Sequence, residues 1–158
     1  MKYLLPILLV LLVACSAPRN QEALNTDPSQ PCILVAIQKG ADSPFKQGLI
    51  TRLKQDYSPE YQVLTKEVKS FKDLEKEQYS ALIVMDQLKA WLLMNGGLKN
   101  IAKHADKSKT VYFISAGDAK WKWKRTDLKH VSSATQKLNP DQTYTRIKAW
   151  LDPILQKQ

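Results

Sequence analysis

Fully apolar runs of strand length alternate with helical patterns along this chain, and that alternation limits the possible folds more than any other feature. Residues 33–37 and 81–85 carry no polar side chain at any position, and residues 111–114 predict the next strand. A strand covered on one face would alternate apolar and polar residues. The two fully apolar runs therefore predict strands that are buried on both faces, as in parallel sheets.

The first and last helices are predicted from caps and apolar faces. Ser43 offers an N-cap and Pro44 a first-turn proline. Apolar residues at a spacing of four then predict one helix face: Phe45, Leu49, Leu53 and Tyr57. Asn139-Pro140-Asp141 predicts the start of the last helix, with one apolar face: Tyr144, Ile147, Leu151 and Ile154. Pro153 is expected to kink or fray the end of that helix.

The remaining patterns predict two strands and two less regular helices. Residues 61–68 alternate and indicate an edge strand, whereas residues 129–132 indicate a short fifth strand. Residues 71–78 predict a short helix. Apolar spacing over residues 88–105 predicts a helix that is broken at residues 95–97, Asn-Gly-Gly.

Strands that alternate with helices predict right-handed βαβ units and a parallel sheet. We expect one α/β domain over residues 32–158, a three-layer sandwich with about five mostly parallel strands in the flavodoxin-like order 2-1-3-4-5. The chain contains neither GxGxxG nor GxxxxGK[ST]. The sequence therefore gives no support for a dinucleotide or triphosphate site.

The N-terminus has the pattern of an export signal. Lys2 precedes an apolar run over residues 4–13 that only Pro6 interrupts. As a helix, this run would extend about 15 Å, roughly half the thickness of a bilayer core. A segment this short, with a basic start and a small residue at its end, is typical of a cleaved signal peptide.

The end of that segment, Leu12-Val13-Ala14-Cys15, resembles the lipobox of bacterial lipoproteins. The resemblance implies that residues 1–14 are removed and that Cys15 receives a diacylglyceryl group on its thiol and an acyl chain on its new amino group. It implies a lipid-anchored protein of the cell envelope that faces the periplasm. Ser16, where Asp would imply inner-membrane retention, favours the outer membrane. Residues 15–31, polar and rich in proline, predict a flexible tether.

The chain is strongly basic, with a net charge of +9, and only Lys2 among the charged residues lies within the signal. The mature protein would therefore keep a charge of +8. In an exported protein nucleic acid is not an expected partner. Anionic lipid, an anionic polymer or an envelope protein fits better.

The chain has few residues that suit metal or thiol chemistry. Cys32 is interpreted as a core residue, with an intermolecular disulfide as the alternative. His104 and His130 are isolated and have no metal-ligand spacing, so no metal site and no catalytic residue is predicted.

Two regions are candidates for binding. In open α/β sheets, ligands bind at the carboxyl ends of the strands, which would gather Lys39, Asp42, Ser43 and Asp86 near a helix N-terminus that favours anions. A simple helix cap is the alternative there. The second candidate is a segment of interleaved lysines and tryptophans: Trp121, Lys122, Trp123 and Lys124. It suits an anionic or membrane surface, or else indoles packed on the core.

Two further resemblances supply alternatives to a binding module without cofactor. The segment that ends at Thr135 resembles the attachment segment of exported flavoproteins, which implies a redox protein with FMN esterified to Thr135. Ser43-Pro44-Phe45 and Gly48 resemble the first half of periplasmic sugar-type binding proteins, which implies a single-lobe solute-binding component. Our main hypothesis is a lipid-anchored module that binds an envelope partner or a small anionic ligand.

Overall fold

The chain folds around one five-stranded parallel sheet in the order β2-β1-β3-β4-β5. The computed structural model describes residues 30–88, 96–117, 121 and 123–156. The strands are β1 (Cys32–Gln38), β2 (Gln62–Val68), β3 (Ala81–Leu88), β4 (Thr110–Ala116) and β5 (Lys129–Ala134). The helices are α1 (Pro44–Tyr57), α2 (Gly96–His104) and α3 (Pro140–Leu155), with 3₁₀ turns at Phe71–Asp73 and Thr135–Lys137. The predicted α/β class, parallel sheet and strand order are confirmed.

The sheet is covered on both faces, which explains its uniformly apolar central strands. Successive strand residues point to opposite faces. Ile33, Val35 and Phe113 pack with α1 and α3 in one buried cluster. Leu34 and Tyr112 pack in a second cluster with α2, Trp123 and other residues of the opposite face. The three layers are therefore α1 with α3, the sheet, and α2 with the segment around Trp123.

The first and last helices begin where their caps predict. The Ser43 hydroxyl accepts the N–H of Lys46 at 3.4 Å before Pro44, and the Asn139 side chain accepts the N–H of Gln142 at 3.0 Å before Pro140. Side-chain acceptors at these positions satisfy N–H groups that have no partner within the helix.

Two predicted element boundaries are wrong. Leu88 continues β3 instead of starting a helix, and Gly96 and Gly97 are helical residues of α2 instead of lying in a break. The Leu88 side chain is buried in the α2 cluster, on the same face of β3 as Leu82 and Val84. The residues predicted to form the first part of that helix, 89–95, lie outside the described residues.

Two other helix predictions need correction. The segment predicted as a helix over residues 71–78 forms one 3₁₀ turn, since the Asp73 carboxylate turns back to accept the N–H groups of Lys69 and Ser70. Pro153 does not fray the end of α3, which continues to Leu155, whereas the kink at Pro153 stays a prediction. The loss of one helical hydrogen bond at Pro153 is offset because Ile154 and Leu155 are buried against the sheet. No helix within the described ranges has the length and apolarity that crossing a membrane requires.

Candidate functional site

The loop after β1 lies at the carboxyl edge of the sheet, between β1 and α1. Gly40 has a positive φ of 74°, and Ala41 donates its N–H to the Gln38 carbonyl at 2.8 Å, so the chain turns sharply there. Lys39 donates its N–H to the Val68 carbonyl at the end of β2, at 2.9 Å. The loop thus places the predicted residues Lys39, Asp42 and Ser43 together.

The chain itself supplies acceptors at the N-terminus of α1. The Asp42 carboxylate accepts the N–H of Ser43 at 2.8 Å and the Nε2–H of Gln47 at 2.8 Å. The Ser43 oxygens accept the N–H groups of Lys46 and Gln47. The Asp42 carboxylate therefore adds negative charge beside the helix N-terminus, which disfavours a bound anion there. Between this loop and Glu67 lies an open depression of about 530 Å³ with acidic and basic groups on its walls.

A buried lysine beside this loop was missed by sequence reasoning. Lys46 is only 1% exposed, and its Nζ donates a hydrogen bond to the Ala41 carbonyl. Burial lowers the pKa of its ammonium group to about 8, against the opposing influence of Asp86 and Asp42. The hydrogen bond from the Lys46 side chain joins the first turn of α1 to the loop at Ala41. Lys46 lies one residue after Phe45 and three before Leu49, on the apolar face of the helix. This position is the only feature of the sequence that could have indicated its burial.

Asp86, the fourth residue predicted at this edge, is buried as well. It is 1% exposed, its Oδ1 accepts the N–H of Gln87 at 2.7 Å, and its charge opposes the lowering of the Lys46 pKa by burial. On β1, Gln38 is 3% exposed, and its Nε2 has no hydrogen-bond partner among the residues that the structure describes. The structure therefore brings a buried cation and carboxylate to the expected edge, covered by the β1–α1 loop. Within the described residues, no group of three or more His, Cys, Asp or Glu could hold a metal ion.

In the tryptophan–lysine segment, the indoles belong to the core. Trp123 is 7% exposed and packs edge-to-face against Tyr112 and His130, with both ring-centroid distances at 5.3 Å. Trp121 is half-buried against the same cluster, whereas Lys124 is exposed. Trp123 is thus a packing residue, which corrects its assignment to a docking surface. Lys122 lies outside the described residues.

Beyond Trp123, the segment is fastened to the turn between α2 and β4 by ion pairs. The Arg125 guanidinium donates two hydrogen bonds of 2.7 Å to Asp127, and the Lys107 ammonium reaches the same carboxylate at 2.8 Å. These donors hold the pKa of Asp127 well below its usual range. The Lys129 ammonium donates to the carbonyls of Lys107 and Ser108. Sequence reasoning did not connect these segments, because they are about 20 residues apart along the chain.

The other predicted positions are placed as follows. Thr135 follows β5 at the carboxyl edge, and its hydroxyl donates to the Ala116 carbonyl at 2.9 Å. The flavin attachment predicted there stays a prediction. Cys32 is half-buried at the start of β1, and burial raises the pKa of its thiol to about 11, which disfavours the reactive thiolate. Residues 1–29, with the predicted signal, Cys15 and most of the tether, lie outside the described residues.

Comparison with known proteins adds little. No protein-family model and no curated protein sequence matches the chain. Among solved structures, the lysine decarboxylase LdcF of Francisella novicida matches with a TM-score of 0.42 and 12% identity, over 76% of this chain and 17% of that one. The chain thus spans under a fifth of that enzyme's length, and similarity this low carries no functional argument.

Proposed function

We propose that this protein is a bacterial lipoprotein, anchored to the cell envelope through Cys15, whose α/β domain is a binding module for an anionic partner. The observation that carries the anchor is the four-residue match Leu12-Val13-Ala14-Cys15 after a short apolar run. Several acyl chains on one residue give stable membrane attachment, since each buried methylene contributes about 0.8 kcal/mol.

The binding role is supported by where the charges lie. A net charge of +8 remains on the mature chain, and exposed lysines lie on several elements, such as Lys103 on α2 and Lys124 after β4. The proposed partner is therefore an anionic macromolecular surface of the envelope. The acceptors that the chain places at the α1 N-terminus make a small anion at that helix the weaker choice.

The two cysteines allow a matched test of the anchor. Cells that express the wild type, Cys15→Ser or Cys32→Ser are grown with labelled palmitate and then fractionated. We expect label in the wild type and in Cys32→Ser, and none in Cys15→Ser. Equal labelling of all three proteins, or of none, contradicts lipidation at Cys15.

A further inference from the structure

The point where the tether joins the domain lies beside a cluster of cations. β1 begins at Cys32, whose carbonyl accepts the N–H of Ser80 at 2.8 Å. On the next strand, Leu82 donates its N–H to the carbonyl of Lys109 at 2.9 Å. Cys32, Ser80 and Lys109 thus mark the starts of three neighbouring strands. At about 4.8 Å per strand, Lys109 lies only about 10 Å from the start of the domain.

Two segments meet near this edge and form what we call the amino-edge basic surface, residues 103–109 and 124–130. They carry six lysine or arginine residues and two aspartates, a net charge of +4. The shared carboxylate of Asp127 joins the segments by binding both Lys107 and Arg125. Lys103 and Lys109 are exposed, and no ion pair involves either of them within the described part of the chain.

Both aspartates of this surface are already engaged. Asp106 accepts hydrogen bonds from the N–H and the hydroxyl of Ser108 at 2.8 and 2.6 Å, and these bonds lower its pKa. Asp127 is held by two cations. The buried Trp123 indole fixes the start of the second segment, since it packs on Tyr112. Because both aspartates are already engaged within the surface, its net positive charge is available to a partner.

We propose that the amino-edge basic surface docks on the anionic lipid headgroups of the membrane that holds the anchor, which rests on the proposed lipidation of Cys15. Residues 15–31 can span at most about 60 Å, and they end at Cys32, on the same edge of the sheet as Lys109. The tether therefore keeps this edge, more than any other, at a high effective concentration beside the bilayer. Each lysine held near an anionic bilayer strengthens association about fivefold.

Hydrogen exchange on the lipidated mature protein tests this docking. The protein is incorporated into vesicles of phosphatidylcholine alone or of phosphatidylcholine with phosphatidylglycerol, and exchange is followed by mass spectrometry. We expect peptides that cover residues 103–109 and 124–130 to exchange more slowly on the anionic vesicles only. High salt should remove this protection, because it screens the attraction between exposed charges.

Matched charge reversals distinguish the effect of this surface from the effect of the protein's net charge. The double variant Lys103→Glu with Lys109→Glu should lose the protection. Lys69→Glu with Lys137→Glu changes the net charge equally at the opposite, carboxyl edge and should keep it. Loss in both variants overturns the proposal, as does equal exchange on the two kinds of vesicle.

Two other results have distinct meanings. Protection that appears only when soluble polyglutamate is added would assign the surface to an acidic polymer or protein and overturn membrane docking. Protein that fails to float with phosphatidylcholine vesicles would contradict the lipid anchor, and the docking proposal would fall with it. Protein that floats but shows no protection on anionic vesicles contradicts only the docking.

Discussion

Two side chains with polar groups, Trp123 and Lys46, are almost completely removed from water. The Trp123 indole lies between Tyr112 and His130, and the Lys46 ammonium lies under the loop at Ala41. Trp123 adds apolar area to the core, whereas Lys46 places a desolvated charge at the margin of the core. Their substitutions should therefore affect stability in different ways.

Trp123→Ala should lower the free energy of unfolding by about 3–5 kcal/mol, the usual cost of removing a buried aromatic side chain. Trp150→Ala is the matched control, because Trp150 on α3 is 43% exposed. Its effect should be about 1 kcal/mol or less. Urea denaturation followed by circular dichroism measures both, and equal losses in the two variants contradict the packing role of Trp123.

The pKa of Lys46 predicts an effect of pH on stability. Its pKa falls from 10.5 in the unfolded chain to about 8 in the fold, so between these values the unfolded state binds more protons. Stability from this group is complete above pH 10.5 and is lost progressively as the pH falls from 10.5 to about 8, a change on the order of 3 kcal/mol. The wild type should therefore gain stability relative to Lys46→Met as pH rises from 8 to 10. A difference that stays constant in urea titrations contradicts this.

At the scale of elements, the start of α2 depends on a close backbone approach. A Cβ atom at Gly97 would lie 2.0 Å from the carbonyl oxygen of Lys69, whereas one at Gly96 would meet no atom of the described residues within 4 Å. The first turn of α2 is thus pressed against the chain that leaves β2. The contact at Asn100, which accepts the N–H of Phe71 at 2.9 Å, continues this packing along the helix.

Gly97→Ala and Gly96→Ala should therefore differ although they are neighbours. We expect Gly97→Ala to destabilise the fold by about 1–3 kcal/mol, because α2 must shift away from Lys69. Gly96→Ala should be neutral or stabilising by up to about 1 kcal/mol. Thermal unfolding distinguishes them, and a Gly97→Ala protein as stable as Gly96→Ala contradicts the close contact.

The elements that the sequence could predict are those that physical patterns specify locally. Both faces of β1 and β3 are apolar, so their burial and parallel pairing follow from residues 33–37 and 81–85. The start of α2 could not be predicted, because a Gly-Gly pair breaks a helix in one context and permits tight packing at its start in another. The close approach of Gly97 to the Lys69 carbonyl decides between these two roles, and it joins residues that are distant in sequence.

The sequence predicted where the candidate site lies in the sheet, but it did not predict that a buried lysine is part of that site. The strand order correctly brings Asp42, Ser43 and Asp86 to one edge of the sheet. The burial of Lys46 could not be predicted, because lysine is rarely buried and its cost is offset only by three-dimensional neighbours such as the Ala41 carbonyl. The ion pairs of Lys107 and Arg125 with Asp127 also depend on tertiary contacts.

At the scale of the whole molecule, charge and attachment support one proposal. The domain is basic, its chain begins at the amino edge of the sheet, and the segments 103–109 and 124–130 bring cations to that region. If Cys15 carries acyl chains, the membrane is the anionic surface that these cations meet most often. The lipid anchor is thus the claim on which both proposals depend.

The intact mass of the protein extracted from native membranes tests that claim most directly. We expect a chain that begins at Cys15 and carries a diacylglyceryl group with an additional amide-linked acyl chain, and no added mass of FMN. A chain that begins at Met1, or one that begins at Cys15 with no added lipid, would contradict the account.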